Sequence, residues 1–142
     1  MRDPKGLSRL VSTKRRLKKM RQLEAAAALV DLHMAREELE GARVDRLRLG
    51  RELAVAAPAA AVDVGLRASL AEMARGSLAR AAEHLVRCEQ EQTLRVEAVR
   101  HIDRELRSFE HLRDQALQER RQSQQRAEQR ENDDLAQRGG PR

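Results

Sequence analysis

The sequence predicts an all-α protein made of two long helices in an antiparallel coiled-coil hairpin, with the second helix longer than the first. Composition is the first observation behind this prediction. Among 142 residues, 40% are hydrophobic, 37% are charged and one, Phe109, is aromatic. Alanine (22) and leucine (19) dominate the hydrophobic set, whereas Val, Ile, Thr and Phe together number 13, which is too few for a sheet protein. Such a composition is typical of long helices and coiled coils.

The second observation is the spacing of the apolar residues, which recur at alternating intervals of three and four in two stretches of the chain. Eight of nine such positions are apolar in the first stretch and ten of twelve in the second. A sustained 3.5-residue period indicates a left-handed coiled coil. The larger seam residues are Leu32, Leu39, Leu49 and Leu53 in the first helix, and Leu78, Leu85, Cys88, Val99, Ile102, Leu106 and Phe109 in the second.

The first helix is predicted over about residues 4–54. Asp3 can cap its N-terminus, and Pro4 suits the first helical position because its fixed φ is already helical. The segment 55–65 contains Pro58, which cannot continue the hydrogen-bond ladder, so this segment is predicted to form the turn.

The second helix is predicted over about residues 66–137 and ends before Gly139, leaving a tail over 138–142. The whole chain, 1–142, is therefore expected to be one hairpin. The second helix outruns the first from about residue 114, and this overhang is rich in Gln, Arg and Glu. Without a partner such a helix is only marginally stable.

The fold-back point predicts the register of the hairpin. A turn centred near residue 60 pairs residue i with about residue 120 − i, which places Leu32 near Cys88 and Ala35 near Leu85. When the heptad spacing of the first helix is continued toward the N-terminus, it falls on cationic residues. We therefore expect the buried face of the helix to shift to neighbouring apolar residues there. The cationic positions are Lys14, Lys18 and Arg21, and the expected replacements are Leu10, Leu17, Met20 and Leu23.

Charge is concentrated at one end of the chain. The net charge is +6 and the pI about 10.6, which would favour nucleic acid or an acidic membrane as partner. Residues 1–21 hold nine basic side chains and one acidic, whereas the remainder holds 20 basic and 22 acidic. The basic pI therefore describes one basic end on a nearly neutral chain.

Several classes of function are disfavoured by what the chain lacks. Its single cysteine, Cys88, fits a reducing compartment, no apolar run reaches the ~20 residues that span a bilayer, and no secretory signal is evident. There is no phosphate-binding loop. The pairs His84/Cys88 and His101/Glu105 each offer only two ligands. We expect a cytoplasmic protein that is not an enzyme and has no cofactor or metal.

Two other interpretations of the basic segment remain open. Lys14–Arg21 followed by spaced leucines resembles a basic-region leucine zipper, but such proteins read bases with asparagine and arginine, and this segment has no asparagine. Nonspecific contact with RNA or an acidic membrane is the second, although no aromatic residue is present there to stack a base. A structural or adaptor coiled coil without a transport role is a further alternative.

The two ends of the chain resemble the FliJ family of flagellar type III export proteins, which has stalk counterparts in injectisomes. The resemblance at the start comprises Leu7, Leu10, Arg15, Arg16, Leu17, Glu24 and Ala25. At the end it comprises Arg120, Arg121, Arg126, Arg130, Glu131, Asp133, Asp134, Leu135 and Ala136. The chain departs from the family pattern at Asn132, where leucine is frequent, and at Asp134, where the family has glutamate.

This resemblance implies a two-helix stalk whose open end sits in the channel of the hexameric export ATPase. It also implies contacts with the export gate protein at the inner membrane and with export chaperones, hence a cytoplasmic protein peripherally associated with that membrane. We expect a monomer in isolation and no specific nucleic acid. The residues expected to contact the ATPase ring are Lys14, Arg15, Arg16, Lys18, Lys19, Arg126 and Arg130.

Overall fold

Two helices account for nearly all of the chain that the structure describes. A computed structural model describes residues 3–55 and 61–140. Helix α1 spans Pro4–Val55 (52 residues) and helix α2 spans Ala61–Arg138 (78 residues). No strand occurs within these described ranges. The predicted fold class, an all-α antiparallel hairpin with the longer helix second, is confirmed.

The N-terminus of α1 is capped by a single side chain. The two carboxylate oxygens of Asp3 accept hydrogen bonds from the backbone N–H groups of Lys5 and Gly6, both at 3.1 Å. These N–H groups have no partner inside the helix, so the carboxylate satisfies them and also complements the positive end of the helix dipole. Pro4 follows the cap as the first helical residue.

The second helix begins earlier than the sequence analysis expects. The predicted turn covers residues 55–65, but Val55 ends α1 and α2 already starts at Ala61. Gly65 does not stop the helix, because a glycine inside a helix costs only about 1 kcal/mol relative to alanine. Residues 56–60, which include the rest of the predicted turn, lie outside the described residues, as do residues 141 and 142 of the predicted tail.

Interhelical packing divides the chain into two compact units, the first of which is Arg21–Val99. Its centre is a cluster in which Leu32 (4% exposed), Ala35 and Cys88 are buried and Leu85 packs against them. These residues lie where the register i + j ≈ 120 places them. Ala28 and Leu39 are buried as well, and the remaining large seam residues are half-buried: Leu49, Leu53, Leu78, Leu85 and Val99.

The other unit combines Met1–Met20 with Arg100–Arg142. Its buried apolar residues are Val11, Ile102, Leu106 and Ala116, and Phe109 is half-buried. The start of α1 lies against α2 where Pro4 and Ser8 share a shallow groove with Leu117 and Arg120. The helices again run antiparallel, because Lys14 contacts Glu105 whereas Lys18 contacts Asp103.

The expected shift of the α1 seam is wrong at Met20 and Leu23. Met20 and Leu23 are 57% and 71% exposed, whereas Val11, which sequence analysis did not select, is 1% exposed. Leu10 and Leu17 are half-buried. The original heptad phase therefore continues toward the N-terminus and places Lys14 and Lys18 on the inward face, where carboxylates of α2 meet them.

Candidate functional site

The basic segment of α1 is tied to α2 by two short ion pairs. Lys14 Nζ donates to Glu105 Oε2 at 2.8 Å, and Lys18 Nζ donates to Asp103 Oδ1 at 2.7 Å. All four side chains are partly buried. Because the two lysines lie four residues apart along the seam, the pairs form two successive polar contacts between the helices, which we call the ion-pair ladder.

Lysine is suited to these seam positions because its aliphatic stem can cover apolar surface while its ammonium group reaches outward. The Lys14 ammonium also lies 5.9 Å from the centroid of the Phe109 ring, within the range of a cation–π contact. The hydrogen bond from Lys18 lowers the pKa of Asp103, and the hydrogen bond from Lys14 lowers the pKa of Glu105. Both carboxylates are therefore held in their charged form.

Further charges extend the ion-pair ladder outward. Arg107 contacts the second oxygen of Asp103 at 3.0 Å, and His101 Nε2 lies 3.1 Å from the second oxygen of Glu105. Arg15 donates to Glu110 across the helix pair at 3.1 Å. The carboxylates on α2 thus neutralise three of the five α1 cations among the predicted contact residues: Lys14, Arg15 and Lys18.

The other two of these five predicted contact cations face away from α2. Arg16 and Lys19 are exposed and make no ion pair with any residue in the described ranges. Among the five, they are therefore the two that another molecule can contact without first breaking an interhelical ion pair.

The second part of the expected docking surface lies on the end of α2. Every residue from 118 to 138 is exposed, and this segment, which we call the overhang, remains helical to Arg138. At 1.5 Å per residue it is about 30 Å long. Arg126 and Arg130 lie one helical turn apart and share an open groove with Glu119, Gln122 and Ser123. No described residue pairs with either arginine.

The seven predicted contact residues therefore fall into two groups. Lys14, Arg15 and Lys18 are engaged in ion pairs with α2. The remaining members are open to solvent: Arg16, Lys19, Arg126 and Arg130.

Sequence reasoning missed the acidic partners, although a signal for them was present. The register i + j ≈ 120 brings Lys14 close to residue 106 and Lys18 close to residue 102, and the neighbouring carboxylates are Glu105 and Asp103. Had the cations been tested for acidic partners as well as for apolar replacements, the register would have identified these pairs.

The described residues do not bring metal-ligating side chains together. They contain no group of three or more His, Cys, Asp or Glu side chains able to hold a metal ion. The pair that the sequence singles out, His84 and Cys88, has its Nε2 and Sγ atoms 3.7 Å apart. The depression that Arg126 and Arg130 line is an open groove on the surface of α2. What these residues present is a pattern of charge suited to contact with another macromolecule.

Neither helix, over its described length, is long and apolar enough to cross a membrane.

Comparisons with protein-family models, with curated proteins and with solved structures return no match to this chain.

Proposed function

We propose that this protein is a central stalk component of the flagellar type III export apparatus, or of an injectisome counterpart. In this role the end formed by the start of α1 and the overhang docks into the hexameric export ATPase. The hairpin couples that ATPase to the export gate protein at the inner membrane and to export chaperones. The protein works in the cytoplasm and associates with the membrane peripherally through the gate.

The observation that carries the proposal is the overhang. A helix of about 20 residues with no covering partner is marginally stable alone, yet here it continues for about 30 Å beyond the start of α1. Its surface alternates arginine, glutamine and carboxylates, with no large apolar side chain before Leu135. A partner that surrounds it with polar loops, such as the channel of a ring-shaped ATPase, suits this surface.

The resemblance of both chain ends to the FliJ family supports the same assignment, because most of the residues that carry it belong to one unit. Exposed charges at such an end favour rapid, salt-sensitive association over a tight apolar interface. Rapid and reversible contact is what a part that engages a cycling ATPase requires.

The nucleic-acid alternative is disfavoured by the ion-pair ladder. A basic-region helix needs its cations free to face phosphates and base edges, whereas Lys14 and Lys18 are bonded to carboxylates of α2. A basic-region zipper also requires a parallel dimer, and the seam that such a dimer would use is occupied by α2.

The proposal is tested by stimulation of the export ATPase encoded in the same genome. The purified chain is expected to raise the ATPase rate. The double variant Arg16→Glu/Lys19→Glu and the double variant Arg126→Glu/Arg130→Glu are each expected to lose most of that stimulation. Both leave the ion-pair ladder intact, so circular dichroism should report unchanged helix content.

A matched control uses two exposed arginines at the other end of α1. Arg48→Glu/Arg51→Glu makes the same change in net charge and should leave stimulation unchanged. Equal stimulation by all three variants would contradict the proposal, as would an ATPase that neither binds nor responds to the wild-type chain. Light scattering should give a monomer, and a homodimer that shifts DNA in a gel would favour the alternative.

A further inference from the structure

The outward face of α1 in the Arg21–Val99 unit carries a second apolar series. Its members, which we call the outer stripe, are Leu23, Ala27, Val30, Met34, Gly41 and Val44. They follow the alternating three- and four-residue spacing of a coiled-coil seam, interrupted at Glu37. At 100° per residue they lie about half a turn from the buried seam. All are exposed, Val30 at 57% and Met34 at 54%.

The corresponding outward face of α2 has a different character. At the equivalent heptad positions α2 carries Met73, Gly76, Arg80, Glu83, Arg87, Gln90, Leu94 and Glu97. This is the polar mixture expected of a solvated helix face. Since hydrophobic residues on an outward face are normally scattered singly, the series on α1 is a feature that solvation alone does not explain.

A row of carboxylates borders the outer stripe. Asp31, Glu38 and Asp45 recur every seven residues, are exposed and make no ion pair within the described ranges. Glu24 continues the same spacing, but Arg21 and Arg95 hold it at 3.1 and 2.9 Å. Three unpaired carboxylates thus lie along one edge of an uncovered apolar seam. In coiled coils, charges in this position select the partner.

A second copy of this chain does not supply the complementary charge. An antiparallel pairing through the outer stripe, centred near residue 32, sets Asp31 against Asp31 of the partner copy. A parallel pairing sets Glu38 near His33 and Asp45 near Glu40. Like charges in register destabilise a coiled coil, and neither arrangement places an arginine or lysine opposite the row. An acidic lipid surface is repelled for the same reason.

We propose that the outer stripe is a docking surface for one amphipathic helix of another protein, which carries Lys or Arg opposite Asp31, Glu38 and Asp45. Leu23 to Val44 span about 32 Å, or roughly six helical turns. A Cβ atom built at Gly41 meets nothing within 4 Å, so the partner backbone can approach α1 most closely there. The proposal does not depend on the stalk assignment, because the outer stripe and the overhang belong to different units.

The test uses two designed 28-residue helices that differ only in charge. Both carry leucine at the seam positions, and the positions that would face the carboxylate row are lysine in one peptide and glutamate in the other. Binding to the full chain is followed by fluorescence anisotropy of the labelled peptide. We expect the lysine peptide to bind and the glutamate peptide to bind at least tenfold more weakly, with the difference shrinking as salt is raised.

Substitutions then locate the binding surface. Val30→Gln/Met34→Gln should weaken binding of the lysine peptide at least tenfold. Leu94→Gln, which changes a residue on α2 that is 65% exposed, should leave that binding unchanged. The triple reversal of Asp31, Glu38 and Asp45 to lysine should invert the preference toward the glutamate peptide. Because all of the substituted side chains are exposed, the thermal melts of these variants should match that of the wild type.

Three outcomes would overturn the proposal. One is an unchanged anisotropy of the labelled lysine peptide at concentrations of the chain up to 100-fold above that of the peptide. Another is binding that the variants of the outer stripe and the Leu94 control affect equally. The third is self-association of the chain that Val30→Gln/Met34→Gln abolishes, which would assign the outer stripe to a second copy.

Discussion

Truncating Leu32 should destabilise the hairpin far more than truncating an outward leucine of the same helix. Leu32 is 4% exposed and packs with Ala35, Cys88 and Leu85. Leu32→Ala removes about three methylene-sized groups at ~0.8 kcal/mol each, and any remaining cavity adds to this loss. In a two-layer structure the neighbours can partly close the gap, so we expect a loss of about 2–3 kcal/mol in the free energy of unfolding.

The assay is denaturation followed by circular dichroism, with Leu23→Ala as the control. Leu23 lies on the same helix and is 71% exposed, so its truncation should change the free energy of unfolding by no more than about 0.5 kcal/mol. For a chain of this size, 1 kcal/mol moves Tm by roughly 2–4 °C, and Leu32→Ala should lower it by about 5–10 °C. Equal effects of the two truncations would refute the assignment of Leu32 to a buried seam.

Three further predictions follow from other features. The pKa values of Asp103 and Glu105 are lowered in the folded state, so the stability that these carboxylates contribute is present at neutral pH and is lost as the pH falls below about 4. Asp103→Asn/Glu105→Gln should therefore flatten the dependence of Tm on pH in that range, and an unchanged slope would contradict this prediction. Gly41→Ala should raise the free energy of unfolding by about 0.5–1 kcal/mol in a denaturant titration, because the added Cβ meets no atom within 4 Å. A decrease in the free energy of unfolding would mean that this position is covered. Asp3→Ala should cost about 0.5–2 kcal/mol of local helix stability, seen as faster hydrogen exchange at the amides of Lys5 and Gly6, and unchanged exchange would exclude the cap.

The sequence was sufficient to predict the hairpin because its two determinants are local. Heptad spacing marks a buried face on each helix, and Pro58 interrupts the pattern between them. Together they also determine the register that brings Leu32 and Cys88 into one cluster. The start of α2 lies earlier than predicted, because the helix continues through Gly65 and the penalty of one glycine is small.

The basic end was predicted less well, for a physical reason. Apolar burial alone favours turning Met20 and Leu23 inward, but they are exposed. Keeping the heptad phase instead buries the stems of Lys14 and Lys18 while carboxylates on α2 satisfy their ammonium groups. Whether these lysines can lie on the inward face depends on carboxylates about 90 positions away in sequence. The composition of α1 alone therefore could not reveal which of its cations are free to contact a partner.

Site-specific photo-crosslinking from the overhang tests the stalk proposal most directly. A photoreactive amino acid at Ser123, an exposed position beside Arg126, is to be compared with one at Arg48 near the end of α1, in the presence of the export ATPase. The proposal predicts a crosslink from position 123 to residues lining the central channel of the ATPase hexamer and none from position 48. A crosslink from position 48 alone, or none to the ATPase from position 123, would contradict it.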